Sequence, residues 1–337
     1  MTKRLGLFTR LVRHAEDQRA AQVYADALAQ IALAERLGYD SAWVAQHHVD
    51  PDEGGLPSPL VFLAHAAARF TQIRLGTAIV TLGLEDPVRV AEDAAVLDTL
   101  SGGRLELGFG SGGSAKSFEL FGVTPEEKQK VYAEKLAAIT AALDGAELVP
   151  GRVLHPPAAS LRERVWHASF SATGARRAGE AGAGLLLSRA QPRDPASPDA
   201  SLDAIQAPLI EAYRAALPAG VPPRIAASRS VFVADDHDDA HRRARRGAQR
   251  FLDHLRAAGN TQLASTVEEV LRDSYVGTPG EVAERLAADD AVTAATDLIV
   301  QIHPIDPDQP AVLRSIELLA TEVVPRLNRH WNERGTA

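Results

Sequence analysis

The chain has 337 residues, of which 36 are basic and 44 acidic, so its net charge at pH 7 is −8. Hydrophobic residues make up 45% of it, enough for a large buried core. Cysteine is absent, which excludes disulfides, thiolate metal sites and a cysteine nucleophile. No apolar run is long enough to span a membrane, and the first residues lack a signal-peptide pattern. We therefore expect a cytoplasmic protein.

The single basic cluster of the sequence, at 241–246, does not indicate a nucleic-acid binder. It directly follows the acidic run 235–239 and has the spacing of a helix. Acidic and basic side chains three or four residues apart on a helix pair with one another at the surface. We therefore expect no nucleic acid as a partner.

Predicted strands and helices alternate along the whole chain. Strands are predicted at 5–12, 41–48, 73–82, 104–110, 164–170, 184–189, 224–234 and 297–303. Helices are predicted after them at 20–37, 58–69, 87–100, 125–143, 174–181, 201–217, 237–258 and 310–327. Eight such units favour an α/β fold with one (β/α)8 TIM barrel over 1–337. A doubly wound sheet is disfavoured, because no glycine fingerprint follows the first strand.

Two connections are longer than the others. An extended loop rich in proline and aspartate, 191–200, follows the sixth predicted strand, and a partly helical insertion at about 260–295 precedes the eighth. Loops after the carboxyl ends of barrel strands face the active site. The sequence therefore leaves two interpretations of 191–200 open, a lid over the site and a solvent loop.

The second predicted strand ends in two adjacent histidines, His47 and His48. Neighbouring strand residues point to opposite faces, so one imidazole can enter the barrel mouth, where it suits proton transfer near neutral pH. A metal-dependent hydrolase that uses His47, His167 and His303 stays an alternative. The first strand lacks the paired histidines usual for such barrels, so no metal ligand is assigned.

Small and hydroxyl-bearing residues follow the fourth, fifth and sixth predicted strands. Their backbone N–H groups and hydroxyls suit an anion such as a phosphate, and those before the helix at 174–181 equally suit a helix cap. A cation at the start of that helix adds a further possible contact. The candidate phosphate and cofactor contacts are Ser111, Gly112, Ser169, Ser171, Thr173, Gly174, Arg176 and Ser188.

Two long segments carry a resemblance to a known family. The segment 34–48, AERLGYDSAWVAQHH, and the segment 75–113 resemble the bacterial luciferase-like flavin-dependent monooxygenases, in particular their FMN-dependent subgroup. The serine-rich turn 169–174 and, at lower density, 275–279 extend the likeness over essentially the whole chain. Some luciferases have a reactive cysteine near the flavin, whereas this chain has none.

The resemblance implies an enzyme that takes reduced FMN from a separate flavin reductase. With O2 it would form a C4a-hydroperoxyflavin that oxygenates a small organic substrate, and it would be a homodimer. His47 would act in proton transfer, and Gln46 stands where the family often has glutamate. Thr77 and Ala78, with Ile79, match a bulged strand end beneath the isoalloxazine. The phosphate would lie at the 169–174 turn.

Further alternatives remain at this stage. Part of the family uses the deazaflavin F420 for hydride transfer without O2, and some relatives bind flavin without turnover. Fold likeness alone does not decide among these activities. Aromatic residues are candidate walls of the substrate pocket or ordinary core residues, namely Phe109, Phe118, Phe121 and Trp166.

Overall fold

The computed structural model describes residues 3–13, 15, 17–257, 264–302 and 307–334. Its strands are β1 (Arg4–Thr9), β2 (Ser41–Val44), β3 (Arg74–Thr77), β4 (Val80–Thr81), β5 (Leu105–Gly110), β6 (Val165–Ala168), β7 (Gly184–Leu187), β8 (Ile225–Val233), β9 (Ser274–Gly277) and β10 (Asp297–Ile302). No helix within these residues has both the length and the apolar character needed to cross a membrane.

The first seven helices occupy the connections between the barrel strands up to β8. They are α1 (Ala20–Arg36), α2 (Pro59–Ala67), α3 (Pro87–Leu100), α4 (Ala115–Leu120), α5 (Lys128–Leu143), α6 (Ala172–Glu180) and α7 (Leu202–Ala216). The later ones are α8 (His237–Ala257), α9 (Val267–Arg272), α10 (Pro279–Ala287), α11 (Asp290–Ala294), α12 (Gln309–Leu318) and α13 (Val324–Arg334), the last two joined by a π turn at Leu319–Val323. Short 3₁₀ turns lie at Leu82–Leu84 and Ala159–Arg164.

Parallel strands close into a barrel, which confirms the predicted fold. The order is β1, β2, β3, β5, β6, β7, β8 and β10, and β10 pairs with both β8 and β1. Every predicted strand overlaps one of these barrel strands. The third is divided into β3 and β4 around a cis peptide bond between Ala78 and Ile79. The insertion contains β9, which no strand prediction covered and which pairs with the end of β8.

An apolar layer inside the barrel forms a floor under its open end. Trp43 and Trp166 meet edge to face there, with ring centroids 5.8 Å apart at 86°. Each indole requires a glycine on a neighbouring strand, because a Cβ on Gly76 or Gly184 would lie 2.2 Å from the ring. The remaining buried members of this floor are Phe8, Ala45, Leu186, Ala226 and Ile299.

The second, larger core lies between the strands and the surrounding helices. One buried ion pair ties the insertion to this layer. The guanidinium of Arg229, on β8, donates to both oxygens of Asp289 at 2.7 and 3.0 Å, and neither side chain is exposed to more than 2%. Asp289 also caps α11 by accepting from the backbone N–H of Val292 at 2.8 Å.

The two long connections contact each other. Arg193, in the loop 191–200, donates to both oxygens of Asp273 at 3.1 and 2.6 Å. Arg272, next to that aspartate, donates to the carbonyl of Pro198 at 2.7 Å. Gln191 reaches the β6 end, where its amide donates to the carbonyl of Phe170 at 3.2 Å. These contacts anchor 191–200 at the open end of the barrel, which favours the lid interpretation over a free solvent loop.

Candidate active site

The side chains directly above the floor are polar. Residues two positions apart on a strand point to the same face. Arg10 therefore follows Phe8 into the barrel, Ser188 follows Leu186, and Gln301 follows Ile299. Polar groups thus surround the open end of the barrel, called the mouth below, over an apolar base.

His47 enters the mouth from the end of β2, two residues after Ala45 of the floor. Its Nδ1 lies 3.6 Å from Oε1 of Glu53, and its backbone N–H donates to the carbonyl of Leu56 at 3.0 Å. Gly54 permits this fit, because a Cβ there would lie 2.5 Å from Cδ2 of the imidazole.

Burial lowers the pKa of His47, and the nearby carboxylate of Glu53 opposes this effect. The nearby positive charges of Arg10 and Arg189 lower the pKa further. The imidazole is therefore neutral at pH 7, so it has one nitrogen that accepts a proton and one that donates.

His48 points away from the mouth, as strand alternation requires. Its ring packs edge to face on Phe121 with centroids 4.8 Å apart, and its Nε2 lies 3.0 Å from the amide nitrogen of Gln46. Burial lowers the pKa of His48 as well. His48 and Phe121 thus belong to the outer wall of the mouth.

The contacts of Gln46 explain why glutamine stands here, where the resemblance to the family leads one to expect glutamate. Its Oε1 accepts from the backbone N–H of Thr81 at 2.7 Å, whereas its Nε2 donates to Glu85 at 2.5 Å and to the carbonyl of Pro57 at 3.3 Å. A carboxylate accepts but does not donate, and it would repel Glu85. An amide is therefore required here.

The side chain of Thr77 is held within the barrel wall, and the predicted place of this strand end beneath an isoalloxazine stays a prediction. It is fully buried, and its hydroxyl donates to the carbonyl of Gly108 at 2.9 Å while accepting from the N–H of Gly108 at 2.8 Å. The strands approach so closely that a Cβ on Gly108 would lie 2.1 Å from the carbonyl oxygen of Thr77. Ala78 and Ile79 pack against the floor and are only partly buried.

The turn before α6 is organised by its own serines. Ser171 is the N-cap of α6, and its hydroxyl accepts from the N–H of Gly174 at 3.2 Å. The hydroxyl of Ser169 accepts from the N–H of Ser171 and donates to its carbonyl, both at 3.0 Å. Gly174 is needed because a Cβ would lie 2.2 Å from Oγ of Ser169. The capping interpretation is therefore confirmed, while Ser171 and Thr173 stay exposed.

The other predicted phosphate contacts lie next to this turn. The β5–β6 register pairs Phe109 with His167, so continuing it by two residues places Ser111 beside Ser169. On the other side, β7 brings Ser188 to the same edge. Arg176 is exposed on α6. Gly112 has φ +70°, and a Cβ there would lie 2.4 Å from Thr81, so packing alone explains this glycine.

The predicted aromatic walls divide between core and surface. Phe109 and Phe118 are buried, and Trp166 belongs to the floor, whereas Phe121 is exposed to 44%. Only Phe121 is thus available at the rim of the mouth.

The two described histidines of the metal alternative, His47 and His167, lie on opposite faces of the barrel wall. His167 shares the outward face of β6 with Val165, which packs in the layer between strands and helices. His303 lies outside the described residues. Within the described chain, one group of possible ligands lies close together, Asp50, Asp52 and His254, and Arg13 already binds both oxygens of Asp52 at 2.6 and 2.7 Å.

Sequence reasoning missed Arg10, Gln301 and Glu53. Arg10 and Gln301 were detectable, since each lies two positions after an apolar inward residue, where the strand pattern continues into the mouth. Glu53 lies in a loop, and no periodic signal places it beside His47.

Comparison with known proteins identifies the family. The model of the luciferase-like monooxygenases matches residues 3–296. The chain belongs to the luciferase-like monooxygenase family. It is 31% identical over 321 residues to the 4-hydroxyprotoasukamycin monooxygenase of Streptomyces nodosus subsp. asukaensis, a match that covers 87% of this chain and 84% of that protein.

Solved structures share the barrel. Monooxygenase RslO1 from Streptomyces bottropensis is 25% identical, with a TM-score of 0.76 and coverage of 96% of this chain and 99% of that one. The oxygenating constituent of 3,6-diketocamphane monooxygenase from Pseudomonas putida, solved with FMN, is 21% identical, with a TM-score of 0.75 and coverage of 96% and 98%. Coenzyme F420-dependent tetrahydromethanopterin reductase from Methanopyrus kandleri is 20% identical, with a TM-score of 0.66 and coverage of 97% and 100%. The last two establish the fold alone.

His167 generates a prediction for stability against pH. Burial lowers its pKa to about 4, helped by Arg162 and Arg224. In the unfolded chain the pKa is about 6.5, so below that pH the unfolded state binds a proton that the folded state does not. Between pH 7 and pH 5 we expect this group to cost about 2 kcal/mol of unfolding free energy.

Urea unfolding at the two pH values tests this expectation. The variant His167→Leu should lose about 2 kcal/mol less than the wild type on acidification. His65→Gln, which changes an exposed histidine on α2, serves as the control and should lose as much as the wild type. Equal losses for His167→Leu and the wild type would contradict the assignment.

Proposed function

We propose that this chain is the oxygenase of a flavin-dependent monooxygenase system, with one barrel per chain. It binds reduced FMN delivered by a separate flavin reductase and uses O2 to oxygenate a small organic substrate. The observation that carries the proposal is the neutral, partly buried imidazole of His47 above an apolar floor, across the mouth from a hydroxyl-rich helix start. Membership of a monooxygenase family supports it.

The residues at the mouth fit FMN in two respects. The start of α6, with its exposed hydroxyls Ser171 and Thr173, suits the phosphate, because free N–H groups and the helix dipole both favour an anion. The partly buried side chains of Ala78 and Ile79 offer an apolar surface to a flat ring. When bound, the reduced flavin supplies the electrons for the reaction with O2. Ser111, Ser169, Gly174, Arg176 and Ser188 are the further proposed contacts.

His47 holds the proton that the reaction at the mouth requires. The carboxylate of Glu53, 3.6 Å from Nδ1, faces the ring, and burial keeps the imidazole neutral at pH 7. A positioned imidazole typically accelerates a proton-dependent step by about 10²–10⁴-fold. The floor beneath it excludes water from one side of the reacting groups.

The exposed faces of α2 and α3 support a homodimer. Val61 on α2 is exposed to 70%, and Leu100 and Val96 on α3 to 69% and 45%. These two helices are neighbours, so the three side chains form an apolar area that a second copy would cover.

Introducing charge into this area tests the homodimer. Val61→Glu with Leu100→Glu should convert a dimer into a monomer at micromolar concentration, measured by light scattering after gel filtration. Val149→Glu, at an exposed apolar residue outside these helices, is the control and should leave the mass unchanged. A wild-type chain that is monomeric at the same concentration would refute the homodimer.

The cofactor proposal is tested by anaerobic fluorescence titration with reduced FMN and, separately, with reduced F420. We expect the wild type to bind reduced FMN, and Ser171→Ala with Thr173→Ala to weaken that binding by about 1–3 kcal/mol, through loss of two charge-assisted hydrogen bonds. Ser201→Ala removes the equivalent cap of α7, whose hydroxyl accepts from Ala204 at 3.4 Å, and controls for helix destabilisation.

Each outcome of this titration assigns the cofactor. Equal affinities of the wild type and the double variant for reduced FMN would contradict a phosphate site at the start of α6. Binding of F420 in preference to FMN would change the proposal to hydride transfer without O2.

The role of His47 is tested by mixing the reduced FMN complex with O2 in a stopped-flow instrument. We expect His47→Ala to keep the affinity for FMN within about twofold. The rate of flavin oxidation should fall by about 10²-fold, because the variant lacks the imidazole that transfers the proton. In the wild type the rate should stay constant as pH falls from 7 and then change as His47 becomes protonated, below its ordinary pKa, because burial lowers that pKa.

His48→Ala is the matched control, since this imidazole packs on Phe121 outside the mouth. It should retain the pH-dependent change. Persistence of the same change in His47→Ala would exclude His47 as the group that titrates.

A further inference from the structure

Arg10 is a buried cation that lacks a complete set of partners. Its side chain is only 8% exposed, and its Nε and Nη2 donate to no acceptor. Glu53, the carboxylate whose charge acts on it, is already bound to His47. Burial lowers the pKa of Arg10 to about 10, so the guanidinium is still charged at pH 7. A buried guanidinium without a counter-ion costs free energy that the hydrogen bonds of a ligand can return.

A second guanidinium, that of Arg189, lies near it. Arg189 donates to the hydroxyl of Ser230 at 3.3 Å. Asp273 is the carboxylate that acts on its charge, but both oxygens of Asp273 are bound by Arg193. Burial lowers the pKa of Arg189, and the positive charge of Arg10 lowers it further. Two like charges thus lie together at the mouth without a counter-ion of their own.

The strands between the two arginines carry more unpaired polar atoms. Gln301 lies on β10, where its register partners are Phe8 of β1 and Ser230 of β8. Its Oε1 is buried without a partner, as is the hydroxyl of Ser228 on β8. Unsatisfied buried groups are uncommon in folded proteins, and several at one place indicate an absent ligand. Water would satisfy the hydrogen bonds but would not neutralise two charges.

We propose that Arg10 and Arg189 bind a carboxylate of the substrate, so that the enzyme acts on small organic acids. This inference rests on the proposed function, in which the mouth binds the substrate. Two planar guanidiniums match the two oxygens of a carboxylate. The anion would lie beside His47, whose pKa both arginines influence, and so would fix the rest of the substrate above the floor.

The position of Arg10 in the barrel indicates that the carboxylate site and the proposed phosphate site of FMN are different places. In the closed barrel β1 lies four strands from β6 in either direction, so Arg10 and the start of α6 are on opposite sides of the mouth. Arg10 therefore approaches the mouth from the side opposite the phosphate site proposed at α6. The anionic ring of reduced FMN is the other possible source of negative charge, and the test must distinguish it.

The test compares carboxylates with neutral molecules of the same shape. Calorimetry is done on the full chain, with and without FMN, using acetate against acetamide and benzoate against benzamide. We expect at least one carboxylate to bind the wild type at least tenfold more tightly than its amide. Arg10→Met keeps the apolar stem and should reduce that carboxylate's affinity by about 10–100-fold, while amide and reduced-FMN affinities change by less than about twofold.

Stability gives a second readout that needs no bound flavin. Arg10→Met removes an uncompensated buried charge, so without ligand it should unfold at a urea concentration equal to or above that of the wild type. The carboxylate should raise the melting temperature of the wild type and not that of the variant. Arg164→Met is the control: this arginine is paired with Asp98 at the other end of the barrel, so its loss should lower stability and leave carboxylate binding unchanged.

Three results would overturn the proposal. One is a wild type that does not distinguish either carboxylate from its amide. Another is an Arg10→Met variant that loses affinity for reduced FMN instead of the carboxylate, which would assign the charge to the flavin ring. The third is a large loss of stability in Arg10→Met without ligand. Failure of the wild type to bind FMN would reject the proposed function instead, because carboxylate binding is also measured without flavin.

Discussion

The edge-to-face contact of Trp43 and Trp166 inside the barrel is the packing on which the site depends. Strand residues alternate between the inside and the helices, so a closed barrel must fill its centre with side chains from alternate positions. Two indoles do so only because Gly76 and Gly184 leave space for them. This floor is the last apolar layer inside the barrel, and the inward side chains of the residues after it face the mouth.

Several residues around the mouth support it rather than face a ligand. Gln46 uses both ends of its amide to hold β4 and Glu85 against β2, and the hydroxyl of Thr77 is bound to Gly108. The contact of Thr77 with Gly108 joins β3 to β5 at the point where the third predicted strand divides. There the pairing of β3 with β5 ends before that of β4 with β5 begins. Next to this wall, Glu53 approaches His47 to 3.6 Å from the loop after β2.

The alternation of strands and helices was predictable, since strand apolar runs and helix caps are local signals. Asp86 as N-cap followed by Pro87 explains why the predicted and observed bounds of α3 agree. Serine at 171 likewise predicted the start of α6 within two residues. The short β9 was missed because Ser274–Gly277 pairs only with the extension of β8, a long-range contact without local periodicity. The binding of Thr77 to Gly108 is invisible in sequence for the same reason.

The charges of the mouth differ from those of the chain as a whole. The net charge is −8, yet two guanidiniums, those of the buried Arg10 and the partly buried Arg189, follow the ends of β1 and β7. The bridge between Arg193 and Asp273 explains how this is maintained. It joins the loop 191–200 to the insertion, and it also occupies the carboxylate that would otherwise neutralise Arg189. One ion pair thereby anchors the edge of the mouth and preserves the positive charge inside it, which links the two long connections of the chain to the chemistry of the site.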